Sequence, residues 1–336
     1  MQTEPLDALK QAILHSSDLA MRATAARFNL DQPADRKRSS TILSRLFFDL
    51  ANLAEIELFI EVGAREAAAS TRAKAWFPEA RVVAFEASPY TYENNSTRLA
   101  GKGIEYHHLA AATSSGDVII NVHRDERGAP IANGEASLLK RTKSARDREH
   151  GFEEVRVPAV ALDDFFAADL GMRSAVWIDV EGGCGLVLPG ATKLLSNASV
   201  VIVEVEDQAY WGEEHWLRSQ TLSFLYDLGL IPVARDFEYA HQHNVVLLRR
   251  ELLDGPGPFR AALARFTSTA VLPTEAQPQR QAESAPSTPK PTPARSAAPK
   301  TGPEKAVRVA KKALRRSKRL ALRAKRKAAA LQARSR

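Results

Sequence analysis

Cysteine is almost missing from this chain of 336 residues, which contains Cys184 alone. One cysteine excludes an intrachain disulfide and a zinc site built from several thiolates. Long apolar runs are missing too, since runs such as residues 200–203 (VVIV) fall far short of the roughly 20 residues that span a bilayer. The N-terminus lacks the basic start and the apolar stretch of a signal peptide. We therefore expect a cytoplasmic protein without a transmembrane segment.

Acidic residues are missing from residues 305–336, which contain 14 lysines and arginines. The rest of the chain has 33 basic and 40 acidic residues, so the net charge of +7 comes from this tail. Alanine, leucine, lysine and arginine favour helix, and the tail has neither proline nor glycine. We expect a basic helical tail that contacts a polyanion, either nucleic acid, an anionic membrane surface or an acidic glycan. A tail that only increases solubility is the alternative.

Large apolar side chains are scarce in residues 271–304, which consist mainly of proline, alanine, serine, threonine and glutamine. Such a segment cannot bury enough surface to offset the entropy that it loses on ordering. We expect a disordered linker between the folded part and the basic tail.

Apolar periodicity divides the remainder into three parts. Residues 1–53 are predicted as an N-terminal helical extension that caps the core, with helices over 6–28 and 39–53. Strands and helix-length segments then alternate through residues 54–250, which predicts an α/β domain with a doubly wound, mostly parallel sheet and a terminal antiparallel strand. Residues 251–270 are predicted as a C-terminal helical segment. The strands are predicted at 56–62, 81–86, 104–109, 175–180, 199–206, 230–236 and 244–249. Two further strands, at 118–122 and 154–160, are predicted on either side of a long insertion (124–152). The predicted helices of this part include 66–76 and 185–195.

Polar residues stand where several predicted strands end. Gly63 follows the first strand, where glycine permits a tight turn and lets a ligand approach the backbone. Glu86 ends the second strand, and a carboxylate there can accept both hydroxyl hydrogens of a ribose. His108 ends the third strand and is a candidate for contacting the edge of an adenine. The alternatives are an ordinary turn at Gly63, a helix-start acid at Glu86 and a polar loop at His108.

Two acids, Asp179 and Glu181, follow the strand predicted over 175–180. Residues two apart on an extended backbone point to the same side, so both carboxylates are expected to face one cleft. Neighbouring acids raise each other's pKa, which suits a general base. A solvated turn acid followed by a helix cap is the alternative.

Three segments together resemble the FkbM family of methyltransferases: Gly63 with Ala64, residues 82–89 (VVAFEASP), and residues 178–182 (IDVEG). Ala110 opens an intervening segment (AAAT) that is also similar to this family. The resemblance covers about residues 54–250. It implies a Rossmann-like class I methyltransferase fold, S-adenosylmethionine as the methyl donor, and O-methylation of a hydroxyl on a sugar, glycan or secondary metabolite.

The resemblance also implies roles for single residues. Gly63 and Ala64 would line the methionine end of the donor, Glu86 would hold its ribose, and Asp179 and Glu181 would lie beside the reacting centre. Ala110, in the similar intervening segment, is a further donor-binding candidate.

Five positions depart from the family's pattern. Glu61 replaces an aspartate, Arg65 an asparagine and Ala67 a glycine, while Trp177 stands at a lysine position and Cys184 at a position that is often acidic. Glu61 and Arg65 remain donor-binding candidates, with Arg65 facing the donor's carboxylate. The lost polar contacts make a catalytically decayed methyltransferase fold, tethered by its basic tail, an alternative function. A nucleic-acid methyltransferase guided by the tail is another.

Other polar and aromatic residues give weaker indications. No set of histidine, aspartate and glutamate has the spacing of a metal site on one helix, so no metal site is predicted. Trp211 and Trp216 are candidates for a platform that binds the acceptor, with buried packing as the alternative. His241 and His243 are interpreted as exposed turn residues.

Overall fold

The computed structural model of the protein describes residues 3–132, 134–141, 151–254 and 257–268. The predicted linker (271–304) and basic tail (305–336) lie outside the described residues, as do parts of the predicted insertion and of the segment 251–270. Within the described ranges, no helix combines the length and the apolarity needed to cross a bilayer.

Seven strands form the central sheet. Parallel pairing links five of them, and the last strand in sequence runs antiparallel to both of its neighbours. The strands are β1 (Leu58–Val62), β2 (Arg81–Glu86), β3 (Glu105–His108), β7 (Ser174–Ile178), β8 (Val200–Glu206), β9 (Leu230–Arg235) and β10 (Gln242–Arg249). Their order across the sheet is β3-β2-β1-β7-β8-β10-β9. The predicted doubly wound, mostly parallel sheet is confirmed, and the fold is Rossmann-like.

A smaller sheet contains the remaining strands β4 (Ala110–Ala111), β5 (Gly116–His123) and β6 (Phe152–Val160). β5 and β6 pair antiparallel along their whole length, and β4 pairs parallel with β6. The sequence predicted β5 and β6 as strands but did not assign them to a separate sheet. Because β4 closely follows β3 and contacts β2, the small sheet begins beside the carboxyl ends of those strands.

Helices cover both faces of the central sheet. On one face, Leu14 and Leu222 pack with Ile60 of β1. On the other face, Phe48 stacks on Phe59 of β1, with ring centroids 6.0 Å apart. The helices are α1 (Thr3–Ala23), α2 (Pro33–Leu53), α3 (Ala68–Trp76), α4 (Pro89–Leu99), α5 (Leu162–Phe165), α6 (Cys184–Val187), α7 (Thr192–Asn197), α8 (Arg218–Asp227) and α9 (Pro258–Thr267). The two N-terminal helices therefore contribute to opposite layers of the core.

Three helix boundaries differ from the predicted ones for local reasons. α2 begins at Pro33 rather than at residue 39, because proline suits the first turn of a helix. α3 begins at Ala68 rather than at residue 66, because Arg65 and Ala67 have φ angles of 48° and 53°, which a right-handed helix does not allow. The helix predicted over 185–195 is divided into α6 and α7 by a 3₁₀ turn, Leu188–Ala191, that contains a proline and a glycine.

Candidate functional site

The sheet has a topological switch point between β1 and β7, where open α/β sheets bind their ligands. Gly63 follows β1, and Asp179 follows β7 and donates its N–H to the Val62 carbonyl at 2.9 Å. Gly63 has a φ of 79°, and a Cβ atom there would lie 1.6 Å from the Asp179 carbonyl oxygen. Glycine is therefore required both by the backbone conformation and by the close approach of the two strand ends.

Glu86 ends β2 on the same edge of the sheet. Its Oε2 accepts the N–H of Arg65 and its Oε1 accepts the N–H of Ser88, each at 2.7 Å. Burial raises the pKa of Glu86 to about 7, although the two N–H groups act in the opposite direction. A carboxylate has about four acceptor positions, so Glu86 can accept further hydrogen bonds from hydroxyl groups. This geometry fits the predicted contact with a ribose.

Glu61 lies in β1 and is 5% exposed. Its carboxylate accepts the N–H groups of Ala69 at 3.3 Å and Ser70 at 2.7 Å. These N–H groups belong to the first turn of α3 and have no partner within the helix. Burial raises the pKa of Glu61 to about 7. Glu61 therefore holds the start of α3.

Three carboxylates meet near the carboxyl ends of β7 and β8. Oxygen atoms of Asp179, Glu181 and Glu204 all lie within 4.8 Å of one another. Burial raises the pKa of each carboxyl group, repulsion from neighbouring acids raises it further, and the pKa of Glu181 reaches about 8. Beside them, the buried Glu206 contacts the ring of His215 through Oε2, at 3.2 Å from Nε2. The three carboxyl groups of this acid cluster therefore bind protons more strongly than exposed acids do.

The expected pairing of Asp179 with Glu181 has a different origin from the one predicted. β7 ends at Ile178, and Glu181 has a φ of 49°, so the two acids come together through a turn rather than along an extended strand. Glu204 was not predicted as a site residue, although the buried strand β8 (VVIVEVE) ends on two alternate acids.

Residue spacing on a single helix does not reveal this group, because its acids come from the ends of two strands. Within the described part of the chain, the trio is the one group of acids, histidines and cysteines with oxygen, nitrogen or sulfur atoms close enough to hold a cation. A cluster of carboxylates does not by itself indicate a metal, and we assign none.

Two cavities lie at this edge of the sheet, on either side of Gly63. The cavity beside Glu86 measures about 50 Å³, and the cavity beside Glu181 measures about 500 Å³. The structure distributes the predicted site residues between them: Glu86 and Ala110 line the smaller cavity, Glu61, Ala64, Arg65 and Glu181 line the larger one, and Gly63 and Asp179 line both.

Part of the insertion, residues 134–139, covers the smaller cavity. Ser137 lines this cavity with its two neighbours in sequence, Ala136 and Leu138. The backbone of Ser137 exchanges hydrogen bonds with that of Asn121 at 2.7 and 3.2 Å, and its hydroxyl donates to the Glu181 carbonyl at 2.7 Å. Because this segment fills space beside Glu86, the smaller cavity is well below the roughly 300–1,000 Å³ of ordinary ligand pockets.

Other candidates lie away from the two cavities. The ring of His108 stacks on Tyr92, with ring centroids 5.2 Å apart, and its Nε2–H donates to the Ala87 carbonyl at 3.1 Å. His108 lines neither cavity, so its position does not support the predicted adenine contact. Trp211 is buried, in agreement with the packing alternative, and His243 is buried in β10, so its prediction as an exposed turn residue is wrong.

Several solved structures are similar to this chain at a low level. The FkbM methyltransferase from Methylobacillus flagellatus KT is 14% identical, with a TM-score of 0.36 over 57% of this chain and 44% of that one. A precorrin-6y C5,15-methyltransferase from Geobacter metallireducens GS-15 is 13% identical, with a TM-score of 0.34 over 61% and 86% of the two chains. The N-terminal domain of EvdMO1, with SAH bound, is 12% identical, with a TM-score of 0.34 over 65% and 81%. The chain spans less than half the length of the first protein, and TM-scores this low support no functional assignment.

A search of curated proteins found no match. The family model described as the Methyltransferase FkbM domain matches residues 61–242, which is more than half of the chain. The matched region extends from Glu61 in β1 to the start of β10 and includes Gly63, Glu86 and the two acids after β7. The chain therefore belongs to the FkbM family of methyltransferases, which use S-adenosylmethionine as the methyl donor.

Proposed function

We propose that this protein is an O-methyltransferase that acts on a hydroxyl group of a sugar, glycan or secondary metabolite. The convergence of Gly63, Glu86 and Asp179 at one edge of the sheet, beside the acid cluster, is the observation that supports this most directly. Methylation of a hydroxyl releases a proton, and Glu181, whose pKa is about 8, is suited to receive it near neutral pH.

The residues of the crevice fit a nucleoside donor. Glu86 has acceptor positions left for ribose hydroxyls, Leu109 and Ala110 offer an apolar surface to the base, and Gly63 lets a ligand approach the backbone. The donor, when bound there, supplies the methyl group. Because residues 136–138 occupy space beside Glu86, donor binding requires this segment to shift.

Glu181 is the proposed general base. Burial and the charge of Asp179 keep its pKa high, so its carboxylate is a stronger base than an exposed glutamate. With the acceptor hydroxyl held in the larger cavity, the hydroxyl proton moves to a carboxylate oxygen of Glu181. Alignment of the hydroxyl with the donor methyl group accounts for most of the remaining rate enhancement.

Donor binding is tested by calorimetry of the full-length protein with S-adenosylhomocysteine. Glu86→Ala should weaken binding because the ribose hydroxyls lose their acceptor. Unchanged affinity would remove Glu86 from the donor site. If the wild-type protein does not bind S-adenosylhomocysteine at millimolar concentration of this ligand, the chain is better described as a decayed, non-catalytic fold. The left-handed conformation of Ala67, in the loop after β1, favours this alternative.

Catalysis is tested by transfer of a labelled methyl group to a panel of sugars, glycans and secondary metabolites. Glu181→Gln should lower turnover by about 10²–10⁴-fold, the usual contribution of a general base, without changing the affinity for S-adenosylhomocysteine. Asp179→Asn should also lower turnover without unfolding the protein. Glu79→Gln, at an exposed position before β2, is the matched control and should keep full turnover. Full turnover in Glu181→Gln would exclude it as the base.

Methylation of RNA or DNA in the same assay, lost on deletion of residues 305–336, would instead support the nucleic-acid alternative. Binding of the tail to a polyanion and a cytoplasmic location both stay predictions.

A further inference from the structure

A third cavity, of about 580 Å³, adjoins the proposed acceptor site. Tyr239 lines this cavity and also lines the 500 Å³ cavity that reaches Asp179 and Glu181. Tyr239 lies in the turn between β9 and β10 and is 60% exposed. An accessible aromatic ring therefore stands between the two spaces, within reach of a ligand that extends from one into the other.

The third cavity is rich in positive charge. Its described lining includes Arg22, Arg36 and Arg235, and Glu238 is its one acid. Arg235 is only 4% exposed, and burial together with the charge of Arg22 lowers its pKa. A lowered pKa shows that the surroundings of this guanidinium do not fully compensate its charge.

Nearby groups neutralise this charge only in part. Asp18 forms ion pairs with Arg22 at 2.7 Å, Arg218 at 3.0 Å and Arg235 at 3.5 Å. Asp207 also contacts Arg22 at 3.4 Å and Arg218 at 2.6 Å, so two carboxylates serve three guanidinium groups. Arg36 donates to the carbonyl of Leu30 at 2.8 Å, which is a neutral acceptor. Glu238 is itself paired with a cation outside the lining, Lys37, at 3.1 Å.

Acidic residues predominate in the neighbouring cavity. Its described lining has two arginines, Arg65 and Arg72, and five acids: Glu61, Glu66, Glu135, Asp179 and Glu181. A ligand that fills both spaces would place a hydroxyl group against the acids and a negative group against the arginines of the third cavity. Arginine suits phosphate and carboxylate because its planar guanidinium donates two parallel hydrogen bonds to either group. The tyrosine between the two ends offers a broad surface against which a sugar ring can pack.

We propose that the acceptor carries an anionic group, a phosphate or a carboxylate, that binds in the cavity lined by Arg22, Arg36 and Arg235 while Tyr239 packs against the ring that bears the hydroxyl. This inference rests on the proposed function, because it places the reacting hydroxyl at Glu181. It narrows the acceptor from hydroxyl compounds in general to acidic or phosphorylated ones.

Calorimetry of the full-length protein, with and without S-adenosylhomocysteine, tests the anion site. The probes are glucose 1-phosphate, glucuronate and neutral methyl glucoside. At least one anionic probe should bind more tightly than the glucoside. Arg36→Gln should lower the affinity for that anionic probe by roughly tenfold, the value of a charge-assisted hydrogen bond, and should leave the affinity for the glucoside unchanged. Whether the phosphate or the carboxylate probe binds identifies the source of the charge.

The basic tail also attracts anions, but it is present in every variant compared, so the difference between variants reports the cavity. Arg156→Gln, at an exposed position in β6, is the matched control and should not change affinity. Tyr239→Ala should weaken probe binding severalfold, whereas Tyr239→Phe, which keeps the ring, should not. The inference would be overturned if methyl glucoside bound as tightly as both anionic probes. It would also be overturned if Arg36→Gln did not lower the affinity for an anionic probe.

The two proposals fail in distinguishable ways. All of these variants should bind S-adenosylhomocysteine like the wild-type protein, because none of the changed residues lines the cavity beside Glu86. Lack of donor binding by the wild-type protein counts against the proposed function. Normal donor binding without Arg36-dependent anion binding counts against the anion site alone.

Discussion

The pKa of Glu86 leads to a quantitative prediction about donor binding. Its two oxygens each accept one backbone N–H at 2.7 Å, and burial raises its pKa to about 7. Only the ionised carboxylate offers lone pairs on both oxygens to the two hydroxyls of a ribose. Donor affinity should therefore follow the ionised fraction of Glu86 and decrease as the pH falls through 7.

The size of the effect follows from this pKa. A group with a pKa of about 7 is about nine-tenths ionised at pH 8 and about one-tenth ionised at pH 6. The dissociation constant should therefore rise about tenfold between pH 8 and pH 6, which corresponds to about 1.4 kcal/mol.

The assay is calorimetry with S-adenosylhomocysteine from pH 5.5 to 8.5 at constant ionic strength. Glu86→Gln should bind more weakly and lose this pH dependence. Glu61→Gln is the matched control and should keep the pH dependence of donor affinity. Glu61 also has a pKa of about 7, but its carboxylate already accepts the N–H groups at the start of α3. An affinity that stays constant from pH 8 to pH 6, or a tenfold change that persists in Glu86→Gln, would refute the reasoning.

Three further predictions concern the stability of the loop after β1, measured by urea denaturation. Gly63→Ala places a Cβ atom 1.6 Å from the Asp179 carbonyl oxygen and should lower the free energy of unfolding by about 2–5 kcal/mol. An unchanged midpoint of urea denaturation would contradict the close approach of Gly63 to Asp179. Ala67→Gly removes the backbone strain of an alanine in the left-handed region, with φ of 53°, and should raise the free energy of unfolding by up to about 1 kcal/mol. The control Ala75→Gly, inside α3, should lower the free energy of unfolding. The pKa of Glu61 is raised from 4.5 to about 7, so at intermediate pH the folded state binds more protons than the unfolded state. The contribution of Glu61 to the free energy of unfolding is therefore complete below pH 4.5 and is lost as the pH rises through 7. Glu61 should account for up to about 3 kcal/mol of this loss, and Glu86 and Glu181, whose pKa values are also raised, contribute in the same direction. Glu61→Gln should therefore reduce the loss by that amount, and a pH profile unchanged in this variant would show that the Glu61 carboxyl group is not desolvated.

Strand positions and the first site residues were predictable because their causes are local. β1, β2 and β7 are short apolar runs, and the residues that follow or end them are identified by type and position alone. Parallel strands place those residues at one edge of a sheet, so Gly63, Glu86 and Asp179 come together as expected.

The acid cluster was only half predictable. Asp179 and Glu181 are close in sequence, but Glu204 joins them because β8 lies next to β7 in the sheet. Strand order is a property of the whole fold and depends on which connections cross which face. An acid near the end of a later strand therefore cannot be assigned to a site before the neighbours of that strand are known.

The aromatic candidates show the same limit. Trp211 was predicted from its residue type as a candidate for contact with the acceptor, whereas Tyr239 was not predicted as a site residue. In the fold, Trp211 is 3% exposed and Tyr239 is 60% exposed. Exposure depends on what packs against a loop, which residue type does not determine.

The sequence by itself determined the family, the alternation of strands and helices, and the glycine and acids at the strand ends, because these depend on residue type and on short periods along the chain. The tertiary structure decided which acids lie close together, that residues 134–139 cover the crevice beside Glu86, and that Arg235 lines one cavity with Arg22 and Arg36. The physical reason is that pKa, burial and cavity shape arise from contacts between distant segments, and such contacts exist only after the sheet has brought those segments together.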